Sequence, residues 1–299
     1  MAHLARSQDS ETQAKSTDLS IDRPEPNFPW PDELTNRSYG NPVHPHFLFD
    51  IAVSGVRRLR SAFDWYVFHR EQSDRLNVIE EYPTLFDHLE RLFWSELGTR
   101  YTPEQRNLLL RSDLILVVVD KQTGQIAGYA SSNHLPVGVI NNVEIPVTAG
   151  CHEVVGKAFQ RAKLGTIFGT LMTIMGRTAR ELFADIAVVL RTNNKYFIRT
   201  LEQWGEIDRS DQIDPNTTLN GRIANSAKII GYMHTQLFGL SEPVPLGHPL
   251  KIQHTFEERI TIPGVGPNEI IYLCYHTTLF DLLTGLLGKK KKQRPETGG

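Results

Sequence analysis

The sequence predicts an α/β fold, a sheet flanked by helices and preceded by a helical extension. Three observations carry that expectation. Apolar residues recur at helical spacing twice before residue 98, a β-hairpin pattern occupies Asp113 to Ser131, and short strand patterns then alternate with helical ones as far as Gly205.

Composition bounds what such a fold can do. At 299 residues, with 40% hydrophobic and 22% charged residues, the chain holds enough apolar material for one large domain or two, and wholesale disorder is excluded. Lys and Arg total 32 against 34 for Asp and Glu, so no global field recruits a polyanion, and nucleic acid is not an expected partner. Two cysteines, Cys151 and Cys274, and a polar stretch from Met1 to Asn27 predict a reducing, cytoplasmic setting without a disulfide framework. No run approaches the ~20 apolar residues of a membrane span.

Residues 1–40 read as a disordered or extended arm, because Pro24, Pro26, Pro29 and Pro31 interrupt regular hydrogen bonding. A domain over 41–288 follows. Phe49, Val53, Val56, Leu59, Phe63 and Tyr66 predict a helix from Phe47 to Arg70; Leu85, Phe86, Leu89, Leu92 and Phe93 predict a second, stopped by Gly98. Asp113–Asp120 and Ile126–Ser131 form the hairpin, turning at Lys121–Gly124. Third and fourth strands are expected at Asn142–Val147 and Cys151–Phe159, then a helix through Ile167, Leu171, Met175 and Phe183. Ile186–Leu190 predicts a buried strand and Asn194–Trp204 a helix closed by Gly205.

Beyond Gly205, residues 206–220 read as a solvated acidic loop containing Asp208, Asp211 and Asp214. Arg222–Leu240 reads as helix, Ile270–Tyr275 as strand and Leu279–Leu287 as a last apolar element. Four lysines, Lys289 to Lys292, open a basic flexible tail over 289–299. Solvation is the preferred role for that tail, with weak contact to an anionic membrane as the alternative.

Chemistry concentrates in VGKAFQRAKLGT, Val155 to Thr166, between a strand pattern and a helix start. Such a turn aims backbone N–H groups and the positive end of the helix dipole at one place, and Arg161 and Lys163 add side-chain charge there. A diphosphate fits that description. No Gly-Lys-Ser/Thr completes a Walker loop, and Gly264 and Gly266 lack the third glycine of a dinucleotide turn. His44 and His46 have no second ligand pair to complete a metal site.

The stretch resembles the loop of the GNAT superfamily of acyl-CoA N-acyltransferases. Val155, Gln160 and Gly165 match its pattern, and Lys163 stands where the family usually has glycine. Asn194 and Gly205 repeat the spacing of the family's fourth helix, so the resemblance covers roughly 114–205. It implies a mixed, mostly antiparallel sheet flanked by helices, here with an insertion at about 206–269. It also implies an acetyl-CoA or longer acyl-CoA donor in the V between the fourth and fifth strands, and direct transfer to the amine of a small molecule or protein, without metal. The cofactor-binding residues are then Val155, Gln160, Arg161, Ala162, Lys163, Leu164, Gly165, Thr166 and Asn194.

For catalysis the resemblance points to Glu153 as base, with His152 behind it. Leu201 occupies the position of the family's tyrosine acid, which leaves Tyr196 as the substitute. Cys151 reads as a small hydrophobe. The competing classes are a non-catalytic GNAT-fold binding protein, suggested by Lys163 and Leu201, and a membrane-surface adaptor using the tail. A homo-oligomer is compatible with the sequence.

Overall fold

The structure, a computed structural model, describes residues 62–69, 83–162, 164–175, 183–202, 205–252, 255–256 and 258–286. The expected arm, the helix reading before residue 62, Lys163 and the basic tail lie outside them. In chain order the elements are β1 (Phe63–His69), α1 (Pro83–Leu97), α2 (Pro103–Leu110), β2 (Leu114–Asp120), β3 (Ile126–Leu135), β4 (Val147–Val155) and α3 (Leu164–Met175). There follow β5 (Asp185–Thr192), α4 (Lys195–Leu201), β6 (Glu206–Arg209), α5 (Gly221–Tyr232), β7 (Leu250–Lys251), β8 (Glu269–Thr278) and α6 (Leu279–Leu286). The sheet is ordered β1-β2-β3-β4-β5-β8-β6, with β7 on β8, and every neighbouring pair is antiparallel except β4 and β5.

Both faces of this sheet are covered, which is why its central strands read as apolar runs. Leu114, Leu116 and Val118 of β2 pack with Phe168 and Leu171 of α3 and Leu282 of α6. Ile115, Val117 and Val119 face the other way, onto Phe86, Leu89 and Phe93 of α1. On that second face Val147, Ala149, Ala187 and Val189 meet Ile229 and Ile230 of α5. Two-sided burial also overturns the helix expected through Phe63 and Tyr66. Phe63–His69 is a strand paired along its length with β2, its residues alternating between the two cores, and their mixture imitates a helical period.

Other boundaries shift for similar reasons. The third and fourth strands expected at Asn142–Val147 and Cys151–Phe159 are one strand, β4. Residues before it form a loop in which Asn142 has φ 57°, and Lys157–Ala162 after it wind into a 3-10 helix. The expected acidic loop at 206–220 opens with β6, and Asp208 is buried, not solvated. Its carboxylate accepts from Arg222, by a short contact, and from Ser226 Oγ at 2.5 Å, while His276 Nε2 lies 2.7 Å from that hydroxyl. This network ties α5 to β6 and β8.

Gly205, expected as a helix stop, is needed for close approach. A Cβ there would run into the His276 carbonyl and within 2.6 Å of the Tyr275 ring. Gly205→Ala should therefore lower the urea midpoint by the equivalent of about 1–3 kcal/mol, an overpacking cost.

Candidate functional site

The central feature is a parting of strands. β4 and β5 pair over only three positions, Val147 with Ala187, Thr148 with Val188 and Ala149 with Val189. Immediately afterwards β4 bulges. Ser132 faces Gly150 and Ser131 faces His152, so Cys151 is an extra residue in the ladder, and a bulge bends its strand and raises the local twist. β4 then continues against β3 as far as Val155, and β5 continues against β8 as far as Thr192. Among the described residues, the edges they turn toward each other have no strand partner from Gly150 to Val155 or from Leu190 to Thr192. A row of backbone N–H and C=O groups opens into a cleft, where an extended amide-bearing ligand can add as a strand.

The bulge also sorts side chains. Cys151 and His152 go to the face of α1, α2 and α5, while Val155 goes to the face of α3. His152 is buried edge-on to Tyr101 and Phe93, at 5.3 and 6.5 Å between ring centres, and its Nδ1 lies 3.2 Å from Ser131 Oγ. Desolvation, helped by the charge of Arg191, brings its pKa down to about 3, so the imidazole is neutral. Burial pushes the Cys151 thiol up to about 12. A protonated thiol of that kind is no nucleophile.

Glu153 faces α3. Its Oε1 sits so close to Gly165, in the first turn of α3, that a Cβ on that glycine would lie 2.6 Å away. Glu153 keeps an exposed surface, and the crowding of its carboxyl by the first turn of α3 costs hydration and pushes it up, to about 8. The structure thus brings together Glu153 and Gly165, two residues expected at the site. Between them the chain is the 3-10 helix Lys157–Ala162 in place of an open turn. Within this stretch Val155 is half-buried, Gln160 exposed and Leu164 buried; Arg161, Ala162 and Thr166 contribute backbone to the 3-10 helix and to the first turn of α3.

On the opposite strand, Asn194 follows the end of β5 and caps α4, its Oδ1 accepting the Tyr196 N–H at 3.0 Å. Tyr196 is 54% exposed, with Lys195 Nζ 5.4 Å from its ring centre. Leu201 is buried with Ile198 in the core under α3.

Sequence reading missed a polar group on the opposite face of the cleft. Arg191 of β5 lies two positions past the last pair shared with β4, its guanidinium carbon 3.4 Å from the ring centre of Phe238. It hydrogen-bonds the Tyr272 side chain of β8. Tyr272 OH is 3.0 Å from His234 Nδ1, and His234 Nε2 donates to the Glu242 carbonyl at 3.0 Å, so the imidazole accepts the phenol proton. A π-helical turn at Met233–Leu237, extending α5, carries His234. Asn193, fully buried, joins β5 to the 262–266 segment through Ile262 N–H and the Gly266 carbonyl. The one sequence signal was Arg191, a charge directly after the apolar run Ile186–Leu190.

No family model and no curated protein matches the sequence. Solved structures do resemble the chain. An aminoglycoside acetyltransferase from an uncultured soil metagenomic sample, in complex with sisomicin, aligns at 17% identity and TM-score 0.34, over 54% of this chain and 99% of that one. Arabidopsis thaliana NAA60 in complex with a bisubstrate analogue aligns at 9% and 0.37, over 66% and 93%. An acetyltransferase of the GNAT family from Staphylococcus aureus aligns at 13% and 0.32, over 53% and 93%. The sheet is mixed and mostly antiparallel, with one parallel pair that parts in mid-length, α3 and α4 on one face and α1 and α2 on the other, as the resemblance in the sequence implied.

Proposed function

We propose that the chain transfers an acetyl or longer acyl group from acyl-CoA directly to an amine. The observation that supports this best is the parting of β4 and β5, which leaves strand edge unpaired inside the fold. The pantetheine amides pair with the Gly150–Val155 edge. The pyrophosphate lies at the start of α3, against the backbone of Leu164, Gly165 and Thr166, with Gln160, Arg161, Ala162 and Lys163 before it and Asn194 across the cleft. Val155 closes the strand beneath.

The amine enters the cleft between the parted edges of β4 and β5. Its nitrogen forms the new C–N bond as the C–S bond breaks. Unpaired N–H groups of β4 stabilise the oxyanion, Glu153 accepts the amine proton and Tyr196 returns one to the thiolate. The segment between β6 and β8 forms the acceptor side. The chain works in the cytoplasm; among the described residues no helix is long and apolar enough to cross a membrane.

Calorimetric titration with acetyl-CoA tests the donor site. Gly165→Val should weaken binding at least tenfold, because its side chain fills the approach to the first turn of α3 and displaces Glu153. Unchanged affinity in a folded variant would remove the site from this turn. A protein that binds acyl-CoA without transfer is the second reading, favoured by the buried, apolar Leu201. Thiol release in the presence of an amine panel separates the two.

A further inference from the structure

We propose that Arg191 is the anion anchor of the acceptor site, so that the amine accepted by this chain carries a carboxylate. The amine half of this statement rests on the transferase reading above; the anion half stands on the geometry of β5 and its neighbours.

Arg191 is half-buried at the point where β4 and β5 separate, on the face away from α3. The groups that act on it directly carry no charge, while the carboxylates of Asp113 and Glu242 act on Cys151 and Tyr272 and not on Arg191 itself. Cys151 is a protonated thiol, His152 an uncharged imidazole and Tyr272 a phenol that burial pushes up to about 12. Among the described residues no carboxylate forms an ion pair with Arg191, whereas Arg209 of β6 and Arg222 of α5 are each paired to aspartate. The side chain is nonetheless held in place. Phe238 supports the flat face of the guanidinium, and Tyr272 takes one of its hydrogen bonds while being fixed by His234, itself fixed on the Glu242 carbonyl.

A positioned guanidinium in a half-buried, neutral setting is costly unless an anion completes it. Arginine offers a planar fork that matches a carboxylate with two parallel hydrogen bonds, and stacking on an aromatic ring leaves the edge of that fork available. Lysine would supply the charge without the fork. Located beside the bulge of β4, the anchor would orient an amino acid so that its amine reaches the thioester and its carboxylate stays on Arg191.

The test compares kcat/KM for a panel of amino acids with the amines that lack only the carboxylate, and with phosphoethanolamine. The wild-type chain should favour the carboxylated amine at least tenfold. Arg191→Met should reduce that preference to within about twofold, and Arg191→Lys should leave an intermediate one. Should Arg191→Met fail to fold, Arg191→Lys and the wild-type panel decide. Calorimetry of amino acid binding without donor supplies a second readout that transfer does not enter. Transfer without carboxylate preference overturns the anchor and spares the transferase reading. Amino acid binding that Arg191→Met abolishes, in a chain that ignores acetyl-CoA, supports the anchor and overturns the transferase reading. Preference for the phosphorylated amine overturns the carboxylate assignment, as does failure to bind any amino acid.

Discussion

Glu153→Gln is expected to lower acyl transfer by about two orders of magnitude or more, within the 10²–10⁴-fold range of general base help. The pH dependence follows from the environment. With its carboxyl raised to about 8 by desolvation, wild-type Glu153 is mostly protonated at neutral pH. Transfer should climb as pH rises toward 8 and level off above it, as the carboxylate becomes the major form. Glutamine removes that limb. The same shift has a stability consequence of known sign. A raised folded-state pKa contributes stability that is present below the unfolded value and lost as pH rises through about 8. Glu153→Gln should therefore be no less stable than wild type at alkaline pH, which separates lost chemistry from lost fold. A variant with an unaltered pH–rate profile would take Glu153 out of the mechanism. As a companion measurement, Tyr196→Phe reports on the returning proton: a tenfold loss supports Tyr196, and an unchanged rate assigns the proton to water.

The placement of several candidate residues was legible because it depends on order along the chain. A strand running into a helix start through VGKAFQRAKLGT locates the pair Glu153 and Gly165, and Asn194 is a local N-cap visible from its residue type. Gly98 likewise ends α1 where expected, at φ 71° with its N–H on the Trp94 carbonyl. What the sequence concealed depends on register. Nothing in VTAGCHEVV announces that Cys151 is an extra residue opposite β3, yet that bulge puts Cys151 and His152 on the same face. Simple alternation already places Glu153 with Val155, and it cannot place Cys151 beside His152.

Long-range partners account for the remainder. Arg191 acquires meaning only when β8 delivers Tyr272 and the end of α5 delivers His234, from 81 and 43 residues further on (272 − 191 and 234 − 191). Asp208 was misread for the same reason: its solvated look belongs to the local sequence, while its burial comes from Arg222, Ser226 and His276. Periodicity failed at Phe63–His69 because a strand buried on both faces has no polar side to mark its period.

Acid should unfold this chain early, and His152 is the reason with the largest expected effect. In the folded state its pKa is about 3, set first by desolvation and second by Arg191, against an ordinary value of 6.5. A depressed histidine pKa contributes stability that is fully present above 6.5 and lost as pH falls through the folded value, because the unfolded chain takes up a proton the buried ring refuses. Between pH 6.5 and 4 the difference spans about 2.5 units, and at 1.36 kcal/mol per unit the loss is about 3 kcal/mol. That is a large fraction of the 5–15 kcal/mol typical of a domain. His276, also depressed by burial despite the nearby Asp208, adds to it with the same sign. Geometry gives the protonated ring little relief: among the described residues Ser131 Oγ is its one close polar neighbour, Tyr101 and Phe93 pack against it, and Arg191 opposes a second positive charge. His152→Gln keeps a group able to bond Ser131 and cannot titrate. Denaturant unfolding at a series of pH values should show the wild-type midpoint falling steeply below pH 6.5 and the variant's falling less, with the two curves converging in acid. Parallel curves over that range would mean that His152 is solvated, and that the wall of the cleft beside the β4 bulge is more open than this packing allows.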